Sequence, residues 1–542
     1  MSGIEQVREV GPAQAGAAES VAMRPAARPG AGGVQARARA ALQDEFLRGA
    51  VRFTTDRLRG RKQAAAEELG RWEEWRERGR QIRAHTVEHL DYYLRQFVDN
   101  LRAAGAKVYF AVDAHEAAET VAGIVREKQG RLVVKSKSMV SEEIHLNHRL
   151  AEDGVEVVET DLGEYIIQLV HEAPSHIIIP AIHKTRGQIR DLFAAAGGED
   201  LSTETRDLAA FARRTLREKF LAADVGLTGC NFGIAETGSI VLFTNEGNGR
   251  MVSTLPRTHI VTMGMERIIP AWADLEVMAN LLPRSATGQK LTAYMTVITG
   301  PRRQGEIDGP DELHVVILDN GRSAQLGDPA FQPVLHCIRC GACLNVCPVY
   351  RHIGGHAYGS VYPGPIGAVL SPLLRDGEQY ADLPYASSLC GACFEACPVK
   401  IPLHDMLVHL RQRNVARGWV KPAERAAFGA FRAVFAHLGR YRLAMRAARI
   451  LQRPLVRRGR MDARVGPLRG WTQSRSFPAL ARQPFRERFP ALVAELGPAG
   501  AAGMESAKAR PIGEAHQQAA MRGGQPNGVS DPAGPAGGEH RG

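Results

Sequence analysis

Seven of the eight cysteines in this 542-residue chain fall between positions 337 and 397, at spacings typical of metal ligands. The first group reads Cys337-x2-Cys340-x2-Cys343-x3-Cys347-Pro348. In this pattern three closely spaced thiolates converge on one cubane of iron and sulfide. The fourth, followed by proline, reaches a neighbouring cluster. A second, partial copy reads Cys390-x2-Cys393-x3-Cys397-Pro398, with Ser387 where its first cysteine would stand. Exchange of the fourth ligands assigns Cys337, Cys340, Cys343 and Cys397 to cluster 1. Cluster 2 receives Cys347, Cys390 and Cys393 and is one ligand short. A Ser387 oxygen could complete it, the iron could stay open to solvent or a partner, or that iron could be lost. Cys-x2-Cys pairs also occur in zinc sites, but the two prolines and the second copy favour two 4Fe–4S clusters. Two cross-ligated clusters in one chain are suited to relaying electrons. The eighth cysteine, Cys230, is read as a buried structural thiol.

The remaining composition narrows the class. Clustered cysteines, and a residue 1–30 stretch without signal-peptide character, argue against a secreted disulfide framework. The expectation is a cytoplasmic protein, with peripheral contact to the inner membrane face as an option. Apolar runs such as Ile177-Ile178-Ile179-Pro180-Ala181-Ile182 are too short to span a bilayer. The net charge of +11 is local: residues 411–460 hold thirteen Arg and one Lys against the single acid Glu424. Nucleic acid is therefore not an implied partner. Among those arginines, Phe428, Phe431, Phe435, Leu438, Tyr441 and Met445 recur at helical spacing, interrupted by Gly429 and Gly439. Such a basic amphipathic segment could lie on an anionic membrane, dock an acidic subunit or cover the cluster domain.

The elements that must position the cysteines follow from periodicity. Residues 1–38, rich in Ala, Gly and Arg, read as disordered. Residues 39–104 read as helical, with Leu90, Tyr93, Leu94, Phe97, Val98 and Leu101 forming an amphipathic stripe. From 105 to 322 short Val/Ile-rich runs alternate with helical stretches, which predicts one α/β domain with a mainly parallel sheet. Strands are expected at 107–112, 131–134, 155–159, 176–180, 239–243, 259–262, 291–298 and 315–318. Residues 323–410 read as a compact α-helical domain around the clusters, 411–497 as a basic helical segment, and 498–542 as a disordered tail.

Within the α/β region, the Gly-rich stretch 228–240 and the polar loop 245–250 are placed where α/β folds bind ligands. Glu236, Asn248 and Arg250 are the candidates there for holding a small anionic substrate, although turn chemistry with solvated charges explains them equally well. Neither a G-x-G-x-x-G helix start nor a G-x-x-x-x-G-K-[ST] loop is present, so NAD and ATP are not indicated.

Five stretches together resemble the lactate utilisation protein B family. They are Val133-Val134-Lys135-Ser136-Lys137-Ser138-Met139, Glu159-Thr160-Asp161-Leu162-Gly163, Ala235-Glu236-Thr237-Gly238-Ser239, Cys337-Ile338-Arg339-Cys340-Gly341-Ala342-Cys343 and Tyr362-Pro363-Gly364-Pro365-Ile366-Gly367. The resemblance covers about residues 60–470. It implies an α/β lactate-utilisation domain of CoA-transferase-like (NagB/RpiA-like) fold followed by an α-helical ferredoxin domain. It also implies two 4Fe–4S clusters held by seven cysteines, and action with two other lactate-utilisation proteins in oxidising L-lactate to pyruvate. The electron acceptor is not named by the sequence. Alternatives are an iron–sulfur subunit of another 2-hydroxy-acid oxidase or heterodisulfide-reductase-like complex, or a CoA-transferase-like enzyme with structural clusters.

Overall fold

Short runs of Val, Ile and Leu that are apolar on both faces can only be satisfied inside a sheet covered on both sides. The computed structural model, which describes residues 33–198, 200–375, 377–457, 459–461 and 477–508, uses them in that way. Its strands are β1 (Lys107–Ala111), β2 (Leu132–Lys135), β3 (Glu156–Glu159), β4 (Val225–Thr228), β5 (Phe232–Ile234), β6 (Ser239–Thr244), β7 (Thr258–Gly264), β8 (Ile268–Ile269), β9 (Tyr294–Ile298) and β10 (Glu312–Leu318). Six of them form one sheet in the order β1-β10-β7-β4-β2-β3, every neighbouring pair parallel. The two central strands, β7 and β4, are buried along their whole length. The other four form a smaller mixed sheet, β8-β5-β6-β9. The fold is thus α/β with a parallel sheet, followed by a helical region.

One expected strand is absent. Residues 176–180 form a loop, because the His176 ring turns back to accept the backbone N–H groups of Ile178 (3.0 Å) and Ile179 (3.2 Å). The same ring meets Asn345 Oδ1 at 3.2 Å and packs edge-on against Tyr350 at 5.7 Å. The isoleucines that looked like a sheet strand instead pack against the cysteine-bearing region, Ile177 buried and Ile178 and Ile179 half-buried. The helical stretch after β2 is two short helices, Met139–Glu143 and Leu146–Glu152, separated by His145 at φ 53°. Strands β4, β5 and β8 are not among the expected ones.

Four helices precede the sheet: α1 (Val34–Gln43), α2 (Glu45–Leu69), α3 (Trp72–Glu88) and α4 (Leu90–Ala103). The first begins inside the stretch expected to be disordered. Arg37 orders it by donating to the carbonyl of Ala357 at 2.9 Å; residues 1–32 lie outside the described residues. Helices α2 and α3 wrap the cysteine-bearing region. Buried Arg76 donates to the carbonyls of Cys397 and Phe394, each at 3.0 Å. Fully buried Arg83 donates to those of Leu335 (3.0 Å) and His336 (3.3 Å). By contrast α4 belongs to the α/β part, where Asn100 clamps the β5–β6 turn through the carbonyls of Ala235 (2.8 Å) and Glu236 (3.0 Å).

Residues from Val420 onward form a separate unit. It contains helices Pro422–Phe435 and Leu438–Leu451, neither with a buried residue, and a helix Phe485–Lys508. The segment expected to be helical throughout also holds a small antiparallel sheet of Val456–Arg457, Arg460–Met461 and Phe477–Pro478. Gly459 at φ 76° makes the turn that starts it. The last helix runs past residue 498, into the tail read as disordered. The tail beyond 508 lies outside the described residues.

Candidate iron–sulfur centre and adjoining cavity

The two cysteine motifs fold alike. In the first, Arg339 and Gly341 flank Cys340 at φ 60° and 73°; in the second, Leu389 and Gly391 flank Cys390 at φ 54° and 79°. A left-handed residue on each side of a cysteine turns the chain tightly around the space its sulfur faces, and glycine adopts that conformation without strain. A five-residue helix follows each time, Ala342–Val346 and Ala392–Ala396, and the two pack against each other. Each ends on a cysteine in the same extended conformation, Cys347 (φ −73°, ψ 118°) and Cys397 (φ −71°, ψ 121°), just before the proline.

Mutual charge effects link the thiols within and between the two motifs. The Cys340 sulfur feels the charges of Cys397 and Cys337, and that of Cys343 feels those of Cys337 and Cys340. The Cys393 sulfur feels Cys347 and Cys390. Cys343 and Cys393 also interact, across the two motifs. None of the seven is in a disulfide. Backbone amides point at the sulfurs: Arg339 N–H to Cys337 Sγ and Ile401 N–H to Cys397 Sγ, both at 3.4 Å. The amides of Ala342 and Ala392 serve Cys340 and Cys390 in the same way. Burial, together with the neighbouring thiolates, pushes the Cys340 thiol up to about 12. Thiolates packed this closely need a cationic centre to hold them, and N–H···S bonds are how proteins tune such centres. Among the described residues no three Cys, His, Asp or Glu side chains close on a point fit for a single ion.

The protein around the first group is strongly cationic. Arg267, almost fully buried, donates to the Cys337 carbonyl at 2.8 Å. Arg83 lies beside it, and burial together with the Arg267 charge lowers the Arg83 guanidinium to about 9. Lys62 of α2 donates to the Ala396 carbonyl and lies within charge range of Cys340, Cys397 and Cys343. Arg322 is fully buried and grips both oxygens of Glu143 at 2.9 Å and Glu266 at 2.7 Å. Arg339, inside the first motif, reaches Glu266 at 3.3 Å and stacks over the Tyr362 ring at 4.7 Å. The Tyr362 hydroxyl in turn donates to Glu143 at 2.6 Å. The Tyr-Pro-Gly-Pro loop therefore ties the α/β part to the first motif. Two buried carboxylates face four buried guanidiniums here, a surplus that suits an anionic cluster. Nothing local in the chain marks Lys62, Arg83, Arg267 or Arg322, since each acts far from its own neighbours in sequence.

A cavity of about 200 Å3 opens between the carboxyl ends of the parallel strands, the mixed sheet and the first motif. Ser138, Cys230, Thr244, Asn248, Arg267, Arg339 and Tyr362 are in its wall. Of the three residues put forward for a substrate, only Asn248 is there. It is buried, its amide donates to Thr160 Oγ1 at 3.3 Å, and its Oδ1 has no partner. Glu236 instead accepts the Trp272 N–H at 3.0 Å, capping the helix Trp272–Ala286. Arg250 is exposed, its guanidinium over the Tyr294 ring at 5.4 Å. Neither lines the cavity. The residues Ala235-Glu236-Thr237-Gly238 make the β5–β6 turn, where a Cβ on Gly238 would stand 2.5 Å from the Leu101 nitrogen.

Comparison with known proteins matches this architecture segment by segment. The LUD domain family matches residues 94–318, the 4Fe-4S dicluster domain residues 333–401, and the lactate utilisation protein B C-terminal family residues 413–491. Lactate utilization protein B of Bacillus subtilis is 53% identical over 450 residues, covering 83% of this chain and 94% of that protein. The chain belongs to the lactate utilisation protein B family. The same-named protein of Geobacillus thermodenitrificans is 55% identical, with the same coverage of 83% and 94%. That of Bacillus licheniformis is 53% identical at equal coverage. For this member of the family, the paired motifs are an iron–sulfur domain, and the sheet that precedes them is the LUD domain.

Proposed function

We propose that the chain is the iron–sulfur electron-transfer subunit of a complex that oxidises L-lactate to pyruvate. The observation that carries this reading is the pair of cysteine motifs with one backbone plan, packed helix against helix. Cluster 1 is read at Cys337, Cys340, Cys343 and Cys397, and cluster 2 at Cys347, Cys390 and Cys393. Oxidation of lactate to pyruvate releases two electrons and two protons, and each 4Fe–4S cluster carries one electron at a time. Two neighbouring clusters can accept the pair in turn and hand it on. The two other lactate-utilisation proteins are the expected partners, with a further acceptor downstream. The LUD domain is read as CoA-transferase-like (NagB/RpiA-like), which its parallel sheet and the missing nucleotide fingerprints support. The cavity beside Cys337 offers the cations Arg267 and Arg339 and the acceptor Asn248 to a small organic acid.

The separate C-terminal unit is read as a reversible contact with the inner membrane face. Phe428, Phe431 and Phe435 are exposed on Pro422–Phe435, amid arginines. Among the described residues no helix is long and apolar enough to cross a membrane. Sedimentation with anionic liposomes at low and high salt tests this contact; no binding at low salt removes it.

The test of the main reading is anaerobic purification with the two partners, followed by addition of L-lactate. EPR signals of reduced clusters should appear with lactate and be absent without it. Clusters that dithionite reduces, but that lactate leaves untouched in the presence of both partners, would refute the assignment.

A further inference from the structure

The second cluster is one cysteine short, and the shared backbone plan indicates what stands in its place. The two motifs superpose in register: Cys340 corresponds to Cys390, Gly341 to Gly391, and Cys347 to Cys397. In that register Ser387 occupies the position of Cys337 and Leu389 that of Arg339. The local bonding agrees. Cys337 Sγ accepts the N–H of the residue two further on, Arg339, at 3.4 Å. Ser387 Oγ accepts the N–H of the residue two further on, Leu389, at 3.1 Å. Arg339 and Leu389 are both left-handed, at φ 60° and 54°. The Ser387 oxygen therefore makes the same i to i+2 backbone bond as the Cys337 sulfur, at the equivalent position of its motif.

One further contact holds Ser387 there. Its carbonyl accepts from Arg411 at 3.3 Å, which ties the turn to the helix Leu403–Ala416. The neighbouring Ser388 is exposed and hydrogen-bonds the Cys390 sulfur, so it is turned to a different task. Cys390 itself is exposed, and a cluster with an iron open at this face would meet water.

We propose that the Ser387 side-chain oxygen is the fourth protein ligand of cluster 2. This rests on the reading of two clusters given above. On binding, the Fe–O bond forms as the hydroxyl proton leaves to solvent, with no change in the iron's electron count. Oxygen is a harder ligand than thiolate, so the serine-bound iron differs from its three neighbours and the cluster is site-differentiated. Ser387 positions and tunes that iron; no role in lactate chemistry is implied.

The test uses the full chain, loaded anaerobically with isotopically enriched iron, as wild type, Ser387→Cys and Ser387→Ala. Wild type should give a Mössbauer component from one cluster 2 iron with a higher isomer shift than thiolate-bound iron, and Ser387→Cys should lack it. Mild ferricyanide oxidation should yield several-fold more three-iron EPR signal from Ser387→Ala than from wild type, and least from Ser387→Cys. Unchanged cluster 1 signals in all three would show that the fold is kept. Identical Mössbauer spectra for wild type and Ser387→Cys, or equal three-iron yields for wild type and Ser387→Ala, overturn the serine ligand. An iron content of one cubane per wild-type chain would instead overturn the two-cluster reading on which it rests.

Discussion

The two cysteine motifs share a backbone plan and sit in opposite surroundings. The first is packed between α2, α3 and the LUD domain, with Cys340, Cys343 and Cys347 buried and Arg83, Arg267, Arg339 and Lys62 close by. The second has Cys390, Ser388 and Leu389 exposed and lacks its first cysteine. The first copy meets the cavity; in the second Cys393 and Cys397 are buried as well, and it is the turn around Cys390 that faces solvent. For a relay this is a useful asymmetry, because a buried cluster can sit near a bound acid while an exposed one can meet a partner protein. It also teaches that ligand spacing fixes the kind of centre, whereas its stability and potential are set by residues far away in sequence.

The comparison can be broken most easily at the cysteines. Ligand loss at the buried site should remove folding energy along with a cluster, since centre formation and folding are coupled. Cys340→Ser is expected to lower the melting temperature by about 10 °C or more, equivalent to roughly 3–5 kcal/mol. Cys390→Ser should cost only a few degrees while still removing one cubane's worth of iron. Thermal melts paired with iron analysis decide it, and equal losses would dissolve the distinction.

The tie between the first motif and the LUD domain comes next. Burial raises the Glu143 carboxyl, but Arg322, helped by Tyr362 and Asn320, outweighs it and holds the group at about 2. Glu143→Gln leaves Arg322 under-compensated in the interior, which should cost about 3–5 kcal/mol. Urea denaturation at neutral pH should report it as a shift in midpoint, and the same assay should leave Lys421→Gln in the separate unit near wild type.

Acid should act first through the buried histidines, of which His259 is one on the LUD side. Burial, with His314 nearby, lowers His259 to about 3, and its ring bonds Thr228 Oγ1 at 2.9 Å. The unfolded chain takes up this proton near 6.5 while the folded one does not. Stability is therefore complete above about 6.5 and falls as pH drops, by up to about 1.4 kcal/mol per pH unit. Denaturation midpoints at pH 7 and pH 5 should differ less in His259→Gln than in wild type by about 2 kcal/mol. Glu143, with its pKa depressed, would add its own loss only below about 4.5.

The smallest effect concerns tuning. Lys62→Met removes a cation beside Cys340, Cys343 and Cys397, which makes the reduced cluster 1 harder to form. Its midpoint potential should fall by about 30–60 mV, the latter being one tenfold step for a single electron. The potential of cluster 2 should barely move. A shift of cluster 2 instead would place Lys62 beside the wrong centre.

Much of this was legible in the chain. The cysteine spacing and the prolines after Cys347 and Cys397 mark the paired motifs, and alternating apolar runs locate most of the parallel sheet. The run at 176–180 misled, because Ile177 and Ile178 are apolar for a contact with the cluster region, which no strand periodicity can reveal. Glu236 and Arg250 misled for a related reason: a charge in a polar loop looks the same whether it caps a helix, stacks on a tyrosine or faces a ligand. Arg339 alone among the cavity's cations could have been picked out, since it lies between Cys337 and Cys340. The convergence of Arg83, Arg267 and Arg322 depends on contacts between segments up to 253 residues apart, and single-sequence pattern carries no trace of those.

The most direct measurement is an EPR-monitored redox titration of the anaerobically prepared full chain, with iron and sulfide analysis on the same sample. The asymmetric two-cluster account predicts two cubanes' content and two signals of equal spin with separate midpoints, of which Cys390→Ser removes only one. One cubane's content, stoichiometric zinc, or the loss of both signals in Cys390→Ser would contradict it.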